Sequence, residues 1–480
     1  MQKHIYIAAM LALLTVPRSS LAQVSIDRPA KSPAQSLPSA PTQKTVDSGL
    51  NQPPSSGQTA AAAQAPGAPK TLTLKQAEEI ALKNNPQISV ARLIALASRQ
   101  VTREARSALW PTATGDFTGV GGESGTRITA GGLNAPHIYQ RVAAGVAVTQ
   151  LITDFGRTSN LISSASYSAK AEHENEMATQ QQILLAVNQA FYSALQTQAI
   201  LVVAQKTIDE RQTVASQINA LFENKLRSEL DISFANVNVA QAKLLLLDAQ
   251  NNDNAAQATL SMVLGFPALQ AFQLVDSDGQ ATAPPDNVDG LISEAYSMRP
   301  EIRSLQFQYE SAKKFQTAER DLLFPTIRAM GVTGDAFVGD SAVVPNPGSL
   351  NNTYGAFGAD VNIPIFNGFL YTARAHAANL MAQATQERLV DLRNLISRDV
   401  RTSWLNTSTA YQRLAVTEQL VQQANLALDL AQSRYKLGLS SIVELSQAQL
   451  QQTQAEISNA QAGYDYRLSL AVLTYQTTGI

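Results

Sequence analysis

The chain has 480 residues and carries 36 Lys and Arg against 38 Asp and Glu, a formal net charge of −2 at pH 7. This length exceeds one ordinary hydrophobic core, so two domains or an internal repeat are expected, and the balanced charge gives no electrostatic case for a nucleic-acid partner. The sequence contains no cysteine, which excludes disulfides, thiolate metal ligands, a cysteine nucleophile and a lipid anchor on an N-terminal cysteine.

The first 22 residues are predicted to form an export signal. Two basic residues, Lys3 and His4, precede an apolar run that ends at Val16, and small residues at 20–22 offer a cleavage site. The alternative is an uncleaved signal anchor, but the run is short for a membrane span of roughly 20 residues. Residues 23–70 are rich in Pro, Ala, Ser and Gln and are predicted to be a disordered or extended tether.

Residues 71–283 are predicted to form a first structural unit, read from helix caps, Gly/Pro breaks and apolar periodicity. Its elements, in order, are short helices at 71–85 and 86–109, two strands within 112–152 joined by a loop at 121–137, and long helices within 156–264. No Gly or Pro occurs between residues 157 and 224, and a helix of that length spans about 100 Å at ~1.5 Å per residue.

Residues 284–480 are predicted to repeat the same order. Short helices at 291–298 and 300–323 precede two strands within 326–366 and long helices within 369–478. Pro86 and Pro111 match Pro300 and Pro325, each pair 214 residues apart, whereas Ser228 matches Ser441 at 213 residues. A near-constant offset with one net gap indicates that the chain arose by duplication.

The long helices carry the stripe of a coiled coil. Apolar and small residues recur every 3.5 residues on average, which predicts a seam between antiparallel helices. In the second copy the stripe is Leu414, Thr417, Val421, Ala424, Leu428, Ala431 and Tyr435, and in the first copy it is Leu201, Ala204, Ile208, Arg211, Ala215, Ile218 and Phe222. An ordinary antiparallel coiled coil satisfies this periodicity without further function.

Each pair of long helices reverses at a tight turn. In the second copy Gly438 is predicted to take the left-handed conformation that ends a helix. Ser441 is predicted to cap the return helix, with Glu444 completing a capping box. The first copy reverses in the same way at residues 222–231.

Apolar and polar residues alternate along the predicted strands. Phe357, Val361 and their alternate neighbours point one way while Asp360 and Asn362 point the other, as expected for lipid on one side and water on the other; a half-buried sheet of a soluble protein is the alternative. Four strands cannot close a barrel, and an open edge cannot lie in lipid. Membrane strands in this chain therefore predict an oligomer whose chains share one barrel.

These features resemble the TolC family of outer-membrane efflux and secretion ducts. The resemblance rests on the duplication, on Leu74-Lys75-Gln76-Ala77 with the stretch from Ala81 to Pro86, and on Arg434-Tyr435-Lys436-Leu437-Gly438-Leu439. It implies a mainly α fold with membrane β-strands: a homotrimer with a twelve-stranded barrel in outer-membrane lipid, continued across the periplasm by an α-helical barrel. It also implies a periplasmic adaptor and an inner-membrane transporter as partners.

The resemblance further implies that contacts at the hairpin tips hold the periplasmic mouth shut. The family's gate tyrosine aligns with Tyr435, and its acidic hydrogen-bonding partner aligns with Asp231. The first aspartate of the family's constriction ring aligns with Glu444, three copies of which would attract cations. The alternative is that Asp231 and Glu444 only stabilise helix N-termini, each contributing less than ~1 kcal/mol.

Three departures from the family pattern predict a weaker lock. Ser440 stands where the family has its gate arginine, and Gln447 replaces the second ring aspartate. Lys225 replaces the glycine of the first hairpin, so the preceding Asn224 is predicted to take the left-handed turn. The resemblance implies that the tips contact the adaptor through Asn224, Lys225, Leu226, Ser228, Gly438, Leu439 and Ser441.

The sequence predicts no enzyme and no cofactor. The four histidines are scattered, without a second ligand at helical spacing, so no metal site is expected. The function expected is a passive outer-membrane exit duct of a tripartite efflux or type I secretion system, energised by an inner-membrane pump. A periplasmic coiled-coil adaptor or scaffold without a pore is the alternative.

Overall fold

The computed structural model describes residues 70–120, 141–276, 282–338 and 353–479. The predicted signal peptide, the tether up to residue 69 and the loop at 121–137 lie outside these ranges. The elements are β1 (Lys70–Leu72), α1 (Leu74–Asn84), α2 (Pro86–Ser107), β2 (Thr112–Val120), β3 (Arg141–Thr153), α3 (Arg157–Glu223), α4 (Glu229–Val263), β4 (Phe272–Leu274), α5 (Val288–Met298), α6 (Pro300–Arg320), β5 (Thr326–Val338), β6 (Thr353–Asn362), α7 (Leu370–Lys436) and α8 (Ile442–Thr477).

The predicted duplication is visible in this order. Each copy has two short helices, two strands, one helix of 67 residues and a return helix of 35 or 36 residues. The short parallel pair of β1 with β4 was not predicted, because three-residue strands carry too little periodicity to be recognised. β6 ends at Asn362, before the predicted limit of 366, and Pro364 lies two residues beyond its end; proline has no N–H for a strand ladder.

Four strands form one antiparallel sheet in the order β2-β3-β5-β6. The two copies meet at its centre, where β3 pairs with β5. Each of these central strands has 13 residues, enough to cross a bilayer when tilted. β2 and β6 are the outer strands and have no second neighbour within the described chain.

The strand register separates an apolar face from a polar face. Val148 pairs with Ala113 and with Gly331, and Gly331 pairs with Phe357, so these four residues lie on one face. Arg328 pairs directly with Asp360 on the opposite face. Phe357 is 97 % exposed, so nothing in the described chain covers the apolar face. This is the arrangement that the alternating sequence predicted.

The long helices form the second part of the fold. α3 packs along α4, α6, α2 and α8, and α7 packs along α6 and α8. The return helices contact their neighbours through alanines every seven residues, which lets the helix axes approach closely: Ala235, Ala242 and Ala249 in α4, and Ala448, Ala455 and Ala462 in α8 are all buried. Within the described ranges, no helix combines the length and apolarity needed to cross a membrane.

Both helix reversals end in a left-handed residue. Gly438 has φ +73°, and the amide of Leu439 donates to the Arg434 carbonyl at 2.8 Å, which is the hydrogen bond of a Schellman motif. In the first turn the left-handed residue is Lys225 at φ +60°, whereas Asn224 has φ −86°. The prediction for Asn224 is therefore wrong: Lys225 takes the left-handed conformation itself, despite its side chain.

The caps of the return helices differ. Ser228 and Asp231 form a full capping box at the start of α4. At the start of α8, Ser441 accepts from the Glu444 amide at 3.4 Å, but the Glu444 carboxylate does not return the bond. The capping box predicted there is only half formed, because that carboxylate lies 3.5 Å from the Arg434 guanidinium instead.

The left-handed lysine gives a testable contrast within one chain. Lys225→Gly should slow amide hydrogen exchange in the last turn of α3 several-fold, because a left-handed L-residue costs roughly 1–2 kcal/mol that glycine avoids. Gly438→Lys should speed exchange in the last turn of α7 by a similar factor. Unchanged exchange in both variants would show that neither turn limits local opening.

A candidate gate at the helical tips

The two tips lie side by side and share one apolar cluster. Ile218 of α3 packs with Leu428 and Tyr435 of α7 and with Ile442 and Leu445 of α8. We call this set the tip cluster. It joins residues more than 200 positions apart in sequence, so a movement of one tip away from the other must expose it.

Tyr435 is buried in this cluster, whereas the residue at the equivalent position of the first copy is exposed. Tyr435 is 5 % exposed, whereas Phe222, 213 residues earlier, is 38 % exposed. The Tyr435 hydroxyl is buried and has no hydrogen-bond partner among the described residues. Burial first, and then the nearby negative charge of Asp231, raise the pKa of Tyr435, while Arg227 opposes the shift.

Asp231 is near Tyr435 but is engaged elsewhere. Its Oδ2 accepts from the Ser228 amide at 3.0 Å and from the Ser228 hydroxyl at 2.9 Å. The hydrogen bond between Tyr435 and Asp231 that the family resemblance implies is therefore not formed in this structure. Asp231 serves the capping box of α4, and its influence on Tyr435 is electrostatic.

Arg227 makes the contact between the tips that the sequence analysis missed. Its guanidinium carbon lies 4.1 Å from the centroid of the Tyr435 ring, within the range of a cation–π interaction. Its Nη2 also donates to the Tyr435 carbonyl oxygen at 2.7 Å. That carbonyl also accepts from the Gly438 amide at 3.0 Å. It lies in the last turn of α7, where the helix dipole favours a cation. We call these two contacts the arginine clamp.

The repeat offset could have identified Arg227. Ser440, which the family resemblance aligns with a gate arginine, lies 213 residues after Arg227, so the two positions are equivalent in the two copies. The first copy therefore has an arginine at this position and the second copy a serine. Ser440 retains a hydroxyl that is buried without a hydrogen-bond partner among the described residues.

The predicted ring residues are placed at the start of α8. Glu444 and Arg434 are both about half exposed, at 43 % and 56 % of their side chains. An exposed pair at 3.5 Å contributes about 0–1 kcal/mol, so Glu444 keeps most of its freedom to face solvent. Gln447 is exposed one turn further along the helix.

The outer surface of the tips is apolar. Leu226, Leu437 and Leu439 are between 68 % and 74 % exposed, and Val443 and Leu230 are also exposed. Contiguous apolar surface of this kind marks protein interfaces. A groove of about 950 Å³ between α3, α7 and α8 opens beside Arg227 and Tyr435 and carries acidic side chains, Asp209, Glu210 and Asp429.

Comparison with known proteins gives consistent matches. The family model described as "Outer membrane efflux protein" matches residues 79–266 and 291–477, one match for each copy. The outer membrane efflux protein BepC of Brucella suis is 23 % identical over 399 residues, 82 % of each chain. The outer membrane protein TolC of Escherichia coli K12 is 21 % identical over 82 % of this chain and 80 % of its own.

Solved structures share the fold. The outer-membrane channel OprN superimposes with a TM-score of 0.74 at 18 % identity, covering 85 % of this chain and 90 % of its own. The CmeC outer membrane channel of Campylobacter jejuni superimposes with a TM-score of 0.71 at 16 % identity, covering 85 % of each chain.

Proposed function

Because this chain belongs to the outer membrane efflux protein family, we propose that three copies form one duct whose periplasmic mouth is closed by the arginine clamp and the tip cluster. The chain is an outer membrane efflux channel, with long helices that extend into the periplasm, and not an enzyme. Family membership alone does not establish the trimer, its partners or the gate. The observation that supports the gate is the set of contacts around Tyr435 at the mouth.

The open sheet supports an oligomer. β2 and β6 leave unpaired backbone groups on both edges, and such groups cannot remain in lipid without partners. Pairing β6 of one chain with β2 of the next removes every edge when the ring closes. Three chains give twelve strands, an even number within the range of bacterial outer-membrane barrels.

The long helices also leave apolar surface uncovered. In α4, Leu230, Val237 and Leu244 recur every seven residues and are all more than half exposed, on the side opposite the buried alanine seam. α7 exposes Val416 and Leu430. An apolar stripe on both outer helices is what a neighbouring copy would cover, and a ring of such contacts would continue the barrel as a helical tube.

The exposed leucines at the tips support a docking partner. A duct in the outer membrane has no energy source, so transport requires an inner-membrane transporter, and a periplasmic adaptor must join the two. The tip surface around Leu226 and Leu439 is apolar and lies at the end of the molecule that would meet such an adaptor. The seven residues that the resemblance implies for the adaptor contact are all exposed: Asn224, Lys225, Leu226, Ser228, Gly438, Leu439 and Ser441.

The rival function, a coiled-coil scaffold without a pore, predicts no ion conduction. A scaffold would use the same helical seams but would have no need of a sheet with one fully exposed apolar face. The two functions are therefore separated by a conductance measurement rather than by a binding assay.

Purified protein in a planar lipid bilayer should conduct, and should prefer cations. Three copies of Glu444 near the axis would raise the local cation concentration. Glu444→Gln should reduce the cation-to-anion permeability ratio several-fold, because it removes the carboxylate charge and leaves the Arg434 charge uncompensated. Glu444→Asp keeps the charge and should preserve the preference for cations. Absence of conductance, even with a variant that opens the mouth, would refute the duct.

A further inference from the structure

One charged residue interrupts the apolar seam of the first hairpin. Arg211 stands at a seam position 12 residues before the end of α3 and is 7 % exposed. The equivalent position of the second copy, 213 residues later, is Ala424. The two copies otherwise match along this stripe, so a buried guanidinium here is particular to the first hairpin.

The partners of Arg211 are neutral. Its Nη2 donates to the Gln449 carbonyl oxygen at 2.8 Å and to the Thr453 hydroxyl at 3.1 Å, both on α8. Among the described residues no carboxylate forms an ion pair with it. The adjacent Glu210 carboxylate lies 3.8 Å from the Lys206 ammonium. Burial lowers the pKa of Arg211, and the charge of Glu210 opposes this shift.

A buried charge is unfavourable unless an opposite charge and hydrogen bonds compensate for the lost water. The Glu210 carboxylate is 40 % exposed and forms no ion pair with Arg211, so it compensates only in part. Arg211 has five N–H donors, and both bonds above use Nη2. The donors on Nε and Nη1 contact no acceptor in the described chain.

These free donors open onto a groove of about 430 Å³ between α3, α4 and α8. Its other polar lining is amide and hydroxyl, including Asn238, Gln241, Ser446 and Ser458, and it contains no carboxylate. The groove on the other side of the α3–α8 contact has three acidic side chains, together with Arg227 and Lys436. The two grooves therefore differ in charge, because Arg211 is the one charged residue in the lining of the first.

We propose that this groove binds a small monovalent anion, a halide or a carboxylate, against the free Nε and Nη1 donors of Arg211. The amide and hydroxyl groups of the lining can complete the ligand shell as hydrogen-bond donors. The site lies within one chain and does not depend on the gate or on the duct. Its ligand supplies a negative charge inside the groove, whose lining has no carboxylate.

Diffraction from crystals of the whole protein soaked in bromide tests the site directly. The expected result is an anomalous peak within hydrogen-bonding distance of the Arg211 guanidinium. An excess of acetate should remove the peak if carboxylates bind better and should leave it if halides do. Wild-type crystals with bromide at other surface cations but none in this groove would overturn the proposal.

A solution measurement uses a matched pair of variants. Replacing a large organic anion by bromide at constant ionic strength should raise the unfolding temperature of wild type. The rise should be lost in Arg211→Gln and retained in Lys206→Gln, which removes an exposed cation from the same helix. Equal rises in both variants would show that the anion acts elsewhere. If Arg211→Gln does not fold, the wild-type diffraction result decides.

Discussion

Replacing Arg227 by alanine should open the mouth more than any other single substitution at the tips. The change removes the cation–π contact with Tyr435 and the bond to its carbonyl oxygen. These contribute about 0.5–2 kcal/mol and about 1.5–3 kcal/mol respectively. In the proposed trimer, three clamps break together on opening. At about 1.4 kcal/mol for each factor of ten, the open fraction should rise on the order of 100-fold or more.

Two substitutions at Tyr435 separate the effect of its ring on the open fraction from the effect of its hydroxyl. Tyr435→Phe should change the open fraction little, because the hydroxyl has no hydrogen-bond partner among the described residues. Tyr435→Ala should open the mouth strongly, since it removes both the clamp's aromatic surface and part of the tip cluster. A large effect of Tyr435→Phe would instead indicate that a hydrogen bond from the Tyr435 hydroxyl to Asp231 keeps the mouth closed.

Single-channel recording in planar bilayers measures the open fraction, with Arg434→Ala as the control. Arg434 is an exposed arginine next to Tyr435 in the last turn of α7, paired at 3.5 Å with Glu444. Its loss should change the open fraction only a few-fold. Arg227→Lys should be intermediate, because it keeps the charge but loses the planar stacking. Equal currents from Arg227→Ala and Arg434→Ala would rule out the clamp.

The second large effect concerns assembly. Val237→Asp combined with Leu244→Asp should abolish the trimer, since it places two carboxylates on the exposed apolar stripe of α4. Each side chain contributes roughly 1.5–3 kcal/mol when buried, and a buried unpaired charge adds a further cost of several kcal/mol. The loss is repeated at all three interfaces, so assembled particles should fall by at least about 100-fold.

Light scattering of the detergent-purified protein gives the particle mass directly. Asn236→Asp with Gln250→Asp is the matched control: it adds the same charge to exposed polar positions of the same helix, away from the stripe. This control should remain trimeric. A trimer that survives the Val237 and Leu244 substitutions would mean that another surface holds the copies together.

Local patterns predicted the fold because its elements are long and repeated. The 67-residue helices lack Gly and Pro, and the return helix of the second copy is capped by Ser441, as predicted. The strand register also confirms the alternating apolar face. The errors were local: the β1–β4 pair, the half-formed capping box at Glu444, and the left-handed residue at the first tip.

The tip contacts required the tertiary structure. Arg227 and Tyr435 are 208 residues apart, and no periodicity in either hairpin records which residue of one faces which residue of the other. Asp231 shows the same limit: its spacing from Ser228 predicts a cap and its family position implies a gate. In the folded chain its carboxylate bonds to Ser228 and not to Tyr435.

The sequence by itself determined the duplication, the hairpins, the two-faced strands and the family. These depend on spacing along one chain, which helix and strand geometry converts directly into faces and turns. The tertiary structure decided that an arginine on the first hairpin clamps Tyr435, and that Arg211 faces a groove without a counter-charge. Both depend on how the two hairpins pack against each other, and packing joins residues whose separation in sequence carries no local signal.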